Sequence, residues 1–158
     1  MAFPVTQDYR DAVTELATKK VNRRFLNDSG EHATLLIELM IGKAGPDDDV
    51  LIYSGELMGG CYRKALEESG SNSIRILTDA AKARTVIDAL PEGVRKCITH
   101  LIIDKADQGN HFFVVGSAFR WELDHSVGSA VANFNEPETT DKLRARFEDM
   151  WKRADKLV

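Results

Sequence analysis

The alternation of short apolar segments with helix-forming segments in the middle of the chain constrains its fold more than any other feature. Residues 50–53 (VLIY) and 74–77 (IRIL) are short runs rich in aliphatic side chains, a pattern typical of buried strands. Segments of helical character follow each of them, over residues 58–68 and 80–90. Strands and helices that alternate at this spacing predict a parallel βαβ core with right-handed crossovers.

The last third of the chain predicts further strands and a closing helix. Residues 98–104 and 111–121 have strand character, and the turn-forming loop 105–110 between them predicts a hairpin. Residues 129–134 predict another strand, and Pro137 suits the first position of a last, amphipathic helix. The predicted order is ααβαβαβββα, an α/β fold in which helices flank a mixed β-sheet on both faces.

The amino-terminal part is predicted to be helical. Thr6 is a suitable N-cap for a helix over residues 7–20, and Ser29 is a suitable N-cap for a second helix. At 158 residues the whole chain fits one domain. We therefore expect a helical segment over residues 1–45 that precedes an α/β core over residues 49–158.

Charge and composition exclude several classes of protein. The net charge of −4 excludes a uniformly basic nucleic-acid-binding coat, although it permits a local basic patch. Cys61 and Cys97 are too far apart in sequence to form a metal-binding pair, and two thiols indicate a reducing compartment. No apolar run approaches the roughly 20 residues of a membrane span, and no signal sequence is evident. We expect a cytoplasmic protein with no membrane association, no cofactor and no metal.

Three features of the last third occur together. An apolar strand runs to Asp104, a second strand contains Gly116-Ser117, and the closing helix carries Phe147 and Trp151. Their order and spacing resemble the phospholipase D-like superfamily, over residues 50 to 151. The resemblance implies a phospholipase D-like half-domain, extended here by two N-terminal helices. It also implies a homodimer or a heteromeric partner, because single-motif members pair to build one site.

The positions that carry catalysis in that superfamily hold other residues in this chain. Counting back from Asp104 places Thr99 where the family has its lysine and Cys97 where it has its nucleophilic histidine. Phe119 stands where an asparagine often follows the Gly-Ser pair, and His100 is one residue out of register. The resemblance therefore implies a degenerate active site.

The candidate site residues follow from this comparison. Ser117, Arg120 and Glu122 are predicted to lie at the end of the long strand, where the resemblance places a phosphate. Arg120 is predicted to bind that phosphate, and Glu122 to act as a base or to orient the arginine. An ordinary Arg–Glu surface pair is the alternative. The predicted catalytic residues are His100, Ser117 and Glu122, and the predicted phosphate ligands are Ser117, Arg120 and Thr99.

Three functions remain open from the sequence. The leading hypothesis is a degenerate phospholipase D-like domain that binds phosphate or nucleic acid, or serves as an accessory subunit in bacterial DNA processing or phage defence. The second is an active phosphodiesterase or nuclease with an altered site. The third is a protein-interaction subunit without a phosphate site. Whether the protein is an enzyme is undecided, and the missing histidine and lysine favour a role in binding.

Overall fold

A computed structural model describes residues 6–27, 30–54, 59–78, 81–102, 110–124 and 129–156. The helices are α1 (Gln7–Lys19), α2 (Gly30–Leu36), a π-helix (Ile37–Ile41), α3 (Gly59–Glu68), α4 (Ala81–Asp88), α5 (Glu92–Arg95) and α6 (Pro137–Lys156). The strands are β1 (Phe25–Leu26), β2 (Val50–Tyr53), β3 (Ile74–Thr78), β4 (Ile98–Ile102), β5 (Phe112–Val115), β6 (Ala118–Asp124) and β7 (Ser129–Asn133).

The described strands form one mixed sheet in the order β1-β7-β6-β5-β2-β3-β4. Strands β2, β3 and β4 are parallel, as the alternating pattern predicts. Strands β5, β6, β7 and β1 continue the sheet from β2 through antiparallel pairings. The predicted α/β class with a mixed sheet is therefore confirmed.

Helices cover both faces of the sheet because successive strand residues point to opposite sides. Ile52, Ile76 and Phe113 belong to a buried cluster with the N-terminal helices and with α3 and α4. Their neighbours Leu51 and Val114 pack on the other face with α6. The strands of the central core are accordingly apolar on both sides, and the sheet is the middle layer of three.

The ends of two helices follow the sequence signals. Thr6 caps α1, where its Oγ1 accepts a hydrogen bond from the Tyr9 amide at 3.1 Å. Lys20 ends the helix in a left-handed conformation, with φ of 49°. Pro137 is the first residue of α6, as predicted. The predicted cap Ser29 lies outside the described residues.

The predicted long strand over residues 111–121 is wrong. Val115 pairs with Ala118, so that Gly116 and Ser117 form a two-residue turn between two antiparallel strands. Gly116 has φ of +58°, the conformation that glycine supplies at the first central position of such a turn. Gly116 and Ser117 therefore lie between two strands and belong to neither.

The predicted hairpin between residues 98–104 and 111–121 is also wrong. Strand β4 pairs with β3 and continues the parallel series to one side of the sheet, whereas β5 pairs with β2 on the other. Between the two N-terminal helices, residues Phe25–Leu26 form the short strand β1, which pairs with β7. Residue Asp104, which anchors the family comparison, lies outside the described residues.

No helix among the described residues combines the length and apolar character needed to cross a bilayer.

Candidate functional site

The sheet has two edges along the strand direction, and they hold different polar groups. We call the amino edge the one at which the parallel strands begin, beside Val50 and the Gly116-Ser117 turn. The carboxyl edge is the one at which those strands end. There the strand pairings also place the beginning of β5 and the far end of β6.

The structure separates Ser117 from Glu122. Ser117 is exposed at the amino edge. Glu122 is at the carboxyl edge, where its amide donates to the His111 carbonyl at 2.9 Å. Five residues of extended chain span roughly 16 Å, so these two side chains do not share one compact site. Their individual catalytic roles stay predictions.

Thr99 and His100 lie on β4, the outermost strand on the opposite side of the sheet. Thr99 is exposed and His100 half-buried, and they point to opposite faces. Four strand spacings, roughly 19 Å, separate β4 from β6. The Cys97 thiol lies against the Gly93 carbonyl at 3.7 Å. The structure therefore does not bring His100 together with Ser117 and Glu122.

Arg120 is buried on the face covered by the N-terminal helices, and its side-chain exposure is 7%. Its Nε donates to Oδ1 of Asn27 at 2.5 Å, and Nη2 donates to the Asn27 carbonyl at 3.4 Å. Its Nη1 donates to Oε1 of Glu122 at 3.3 Å. Every guanidinium nitrogen is thus directed at a protein acceptor. The Arg–Glu surface pair that was the alternative prediction is therefore a partly buried pair, with side-chain exposures of 7% for Arg120 and 15% for Glu122.

Asn27 extends this buried cluster into the N-terminal helices. Its Nδ2 donates to the Tyr9 hydroxyl at 3.0 Å and to the His32 carbonyl at 2.9 Å. The rings of Tyr9 and His32 stack with their centres 4.1 Å apart. On the strand side, Nδ1 of His111 lies 3.8 Å from Oε2 of Glu122. These groups fix the N-terminal segment onto β6 at the carboxyl edge.

Sequence reasoning missed Asn27 because nothing local identifies it. It stands 93 residues from Arg120, between the two N-terminal helices. A buried arginine needs acceptors, and only the strand pairing of β1 places Asn27 within reach.

The Gly116-Ser117 turn is tied to the rest of the fold by polar contacts. Arg144 of α6 donates to both carboxylate oxygens of Asp49 and to the Gly116 carbonyl. The Gly116 amide donates to the Asp49 carbonyl at 3.2 Å. Asp49 therefore connects this turn to α6 through its side chain and to the start of β2 through its backbone.

A cleft of about 390 Å³ opens at the amino edge between α1, the π-helix and this turn. Lys20 and Lys43 line it and are exposed. Within the described part of the chain, neither lysine takes part in an ion pair. The carboxylate of Asp48 also lines the cleft, and its Oδ2 accepts a hydrogen bond from the Gly45 amide at 2.9 Å. The two lysines and the one carboxylate that line the cleft together carry one positive charge.

Two ion pairs shift the acidity of their carboxyl groups. The hydrogen bond from Arg24 holds the pKa of Glu136 below its usual value, against the opposing effect of burial. Arg75 lowers the pKa of Glu148 in the same way. Among the described residues, no group of three or more potential metal ligands lies close enough together to hold an ion.

No protein-family model matches the chain, and no curated protein matches it. Its fold is similar to the structure of TrmBL2, an archaeal chromatin protein that shows a novel mode of DNA binding. The TM-score is 0.62 at 17% sequence identity. The match covers 94% of this chain and 61% of TrmBL2, so the chain spans about three fifths of its neighbour. At this identity the likeness establishes a shared fold.

Proposed function

We propose that this protein is a phospholipase D-like domain with a degenerate active site, which binds phosphate-bearing ligands without cleaving them. The observation that carries the proposal is the wide separation of His100 and Thr99 from Ser117 and Glu122. Cleavage through a covalent intermediate needs a nucleophile and a charge-neutralising group around the same phosphate. Binding needs only the latter.

Nucleic acid is the ligand class to test first. A structural neighbour of the chain, TrmBL2, is a chromatin protein with a described mode of DNA binding. Phosphodiester binding draws its affinity from lysine and arginine side chains that displace counterions. With a net charge of −4, this chain would bind through a local patch of cations. The cleft beside Lys20 and Lys43 offers one at the amino edge.

The resemblance supports a further proposal about context. Such a domain would act as an accessory subunit in bacterial DNA processing or phage defence, in the cytoplasm, as a homodimer or beside a partner chain. Sedimentation equilibrium over a range of concentrations distinguishes the homodimer from a monomer that awaits a different partner.

An active phosphodiesterase is the second candidate, and one contact favours it. His111 and Glu122 form a half-buried histidine–carboxylate pair at the carboxyl edge, 3.8 Å apart. In such a pair the carboxylate orients the imidazole and stabilises the proton that the imidazole accepts, which is the arrangement of a general base. If the protein cleaves, this pair is a better candidate than His100.

Both candidates are tested by incubating the purified protein with end-labelled single-stranded DNA, double-stranded DNA and RNA, in Mg²⁺ or EDTA. The proposal predicts intact strands and a complex that weakens as salt rises. Cleavage that is lost in His111→Gln but kept in the matched control His100→Gln supports the second candidate. The absence of both complex and cleavage with all three nucleic acids contradicts the proposal.

A further inference from the structure

Three departures from regular backbone geometry meet at the cleft on the amino edge. Lys20 has φ of 49° and is the only non-glycine residue in the described ranges with positive φ. Gly116 has φ of +58°, and the π-helix forms another wall. Left-handed non-glycine residues and π-helical turns are rare and cluster at functional sites.

Lys20 occupies a position where glycine is the usual residue. Its amide donates to the Ala17 carbonyl at 3.3 Å, and the Val21 amide donates to the Leu16 carbonyl at 3.2 Å. These two bonds form the Schellman motif, in which glycine avoids the steric cost of the left-handed conformation. Asn135 fixes the turn further, since its Nδ2 donates to the Lys20 carbonyl at 3.1 Å. A lysine at this position makes the helix end less stable than a glycine would. It does, however, place a positive charge at the cleft.

The lining of the cleft combines this positive charge with an apolar wall. Aliphatic and aromatic residues contribute to the lining, among them Leu39, Met40, Val115, Ala118 and Phe134. Lys20 and Lys43 supply the positive charge, of which the Asp48 carboxylate offsets one unit, and Ser117 supplies an exposed hydroxyl. A volume of about 390 Å³ is within the range of small-ligand pockets and is more than a free phosphate ion needs. The surroundings suit a ligand that has both an anionic and an apolar part.

We infer that this cleft binds one nucleotide unit, with its phosphate at Lys20 and Lys43 and its base against the apolar wall. Lysine binds phosphate as a point charge, and the Ser117 hydroxyl can donate a hydrogen bond to a phosphate oxygen. The inference rests on the proposed function in taking the nucleotide to be part of a nucleic-acid strand. It places the binding site at the edge of the sheet opposite Arg120 and Glu122.

The test is an NMR titration of the ¹⁵N-labelled protein with adenosine monophosphate, inorganic phosphate and adenosine. The inference predicts that the amides of Gly116 and Ser117 shift, and that the nucleotide binds more tightly than either of its parts. The double variant Lys20→Gly/Lys43→Ala should bind it about tenfold more weakly or worse. The control Lys152→Ala removes an exposed lysine from α6, on the other face of the sheet, and should stay within twofold.

The melting temperature shows whether a variant that binds more weakly is still folded. Lys20→Gly relieves the left-handed conformation and should raise the melting temperature by about 2–4 °C while it weakens binding. A variant that is more stable and binds less well cannot owe its loss to unfolding. Equal affinity in the double variant and the wild type would overturn the inference, as would a wild type that binds none of the three small molecules.

The possible outcomes distinguish a failure of the proposed cleft site from a failure of the proposed function. A wild type that binds nucleic-acid strands, with affinity unchanged in the double-lysine variant, refutes the cleft site and leaves the proposed function standing. A wild type that binds the mononucleotide at the cleft but no strand supports the site and refutes nucleic-acid binding.

Discussion

Arg144 binds Asp49 through two hydrogen bonds, from Nη2 to Oδ1 at 2.8 Å and from Nε to Oδ2 at 3.2 Å. The pair joins α6 to the start of β2 across 95 residues of sequence. Because Arg144 also donates to the Gly116 carbonyl, the turn between β5 and β6 is held at the same point. The Gly116-Ser117 turn therefore has a structural role, because the arginine that binds Asp49 also holds this turn in place.

Arg144→Met should lower the free energy of unfolding by about 1 kcal/mol, since the variant keeps much of the side-chain volume and loses the charged hydrogen bonds. The effect is modest because the pair is partly exposed, at 27% and 41%. Urea denaturation measures it. Arg146→Met, an exposed arginine two residues away on α6, is the control and should change stability by less than about 0.5 kcal/mol. Equal losses in both variants would mean that the bidentate pair adds nothing.

Gly116→Ala should destabilise the protein by about 1–2 kcal/mol, because φ of +58° is unfavourable for a residue with a Cβ. The added carbon would also lie 3.0 Å from Oδ1 of Asp48. Ser117→Ala in the same turn should be within about 0.5 kcal/mol of the wild type, since its side chain is exposed. Thermal unfolding followed by circular dichroism compares the two, and a harmless Gly116→Ala would contradict the turn geometry.

Arg120→Met should lower the free energy of unfolding by about 3 kcal/mol, because buried Asn27 and half-buried Glu122 both lose the donor that Arg120 provides. Guanidinium chloride denaturation measures the loss. Nucleic-acid affinity, corrected for the folded fraction, should remain at the wild-type level. A stable Arg120→Met variant that no longer binds nucleic acid would restore the sequence-based prediction of Arg120 as a phosphate ligand.

Acidification should weaken the contact between Glu136 and Arg24. The folded state lowers the pKa of Glu136 from its usual 4.5, so the contact stabilises the protein above that pH and loses its effect as the pH falls through the lowered pKa. The contribution is about 1 kcal/mol, discounted because Arg24 is 59% exposed. We expect the stability difference between wild type and Glu136→Gln to be present at pH 7 and to disappear as the pH falls below 4.5 and through the lowered pKa of Glu136.

Glu138→Gln is the matched control for that pH series. Glu138 lies two residues further along α6, and its side chain is 86% exposed. The free energy of unfolding of the Glu138→Gln variant should equal that of the wild type at every pH. A Glu136→Gln variant that also follows the wild type throughout would show that the Arg24 contact contributes nothing measurable.

Local signals in the sequence predict the elements of this fold better than their pairing. Thr6 and Pro137 begin helices because a side-chain cap and a missing amide act within one turn of chain. The apolar runs that begin at Val50 and Ile74 become parallel strands, since buried strands are apolar on both faces. The Gly116-Ser117 turn also has a local signal, a glycine first in a two-residue connection between apolar runs.

Long-range relations account for what the sequence did not predict. Strand β4 follows β3 as another parallel crossover, and nothing near it in sequence indicates that β5 pairs with β2 instead. The cleft is equally non-local, because Lys20, Lys43 and Ser117 come from three separate segments of the chain. Strand alternation places Arg120 and Glu122 on one face, but the burial of that face depends on Asn27 and the N-terminal helices.

The most direct test of binding without cleavage is a titration with single-stranded DNA that carries a fluorophore at one end and a quencher at the other. Fluorescence anisotropy reports binding, and total intensity reports cleavage in the same sample. We predict that anisotropy rises at low salt and falls as salt is added, with no gain in intensity in Mg²⁺. A steady rise in intensity, or an anisotropy that protein never changes at low salt, would contradict the account.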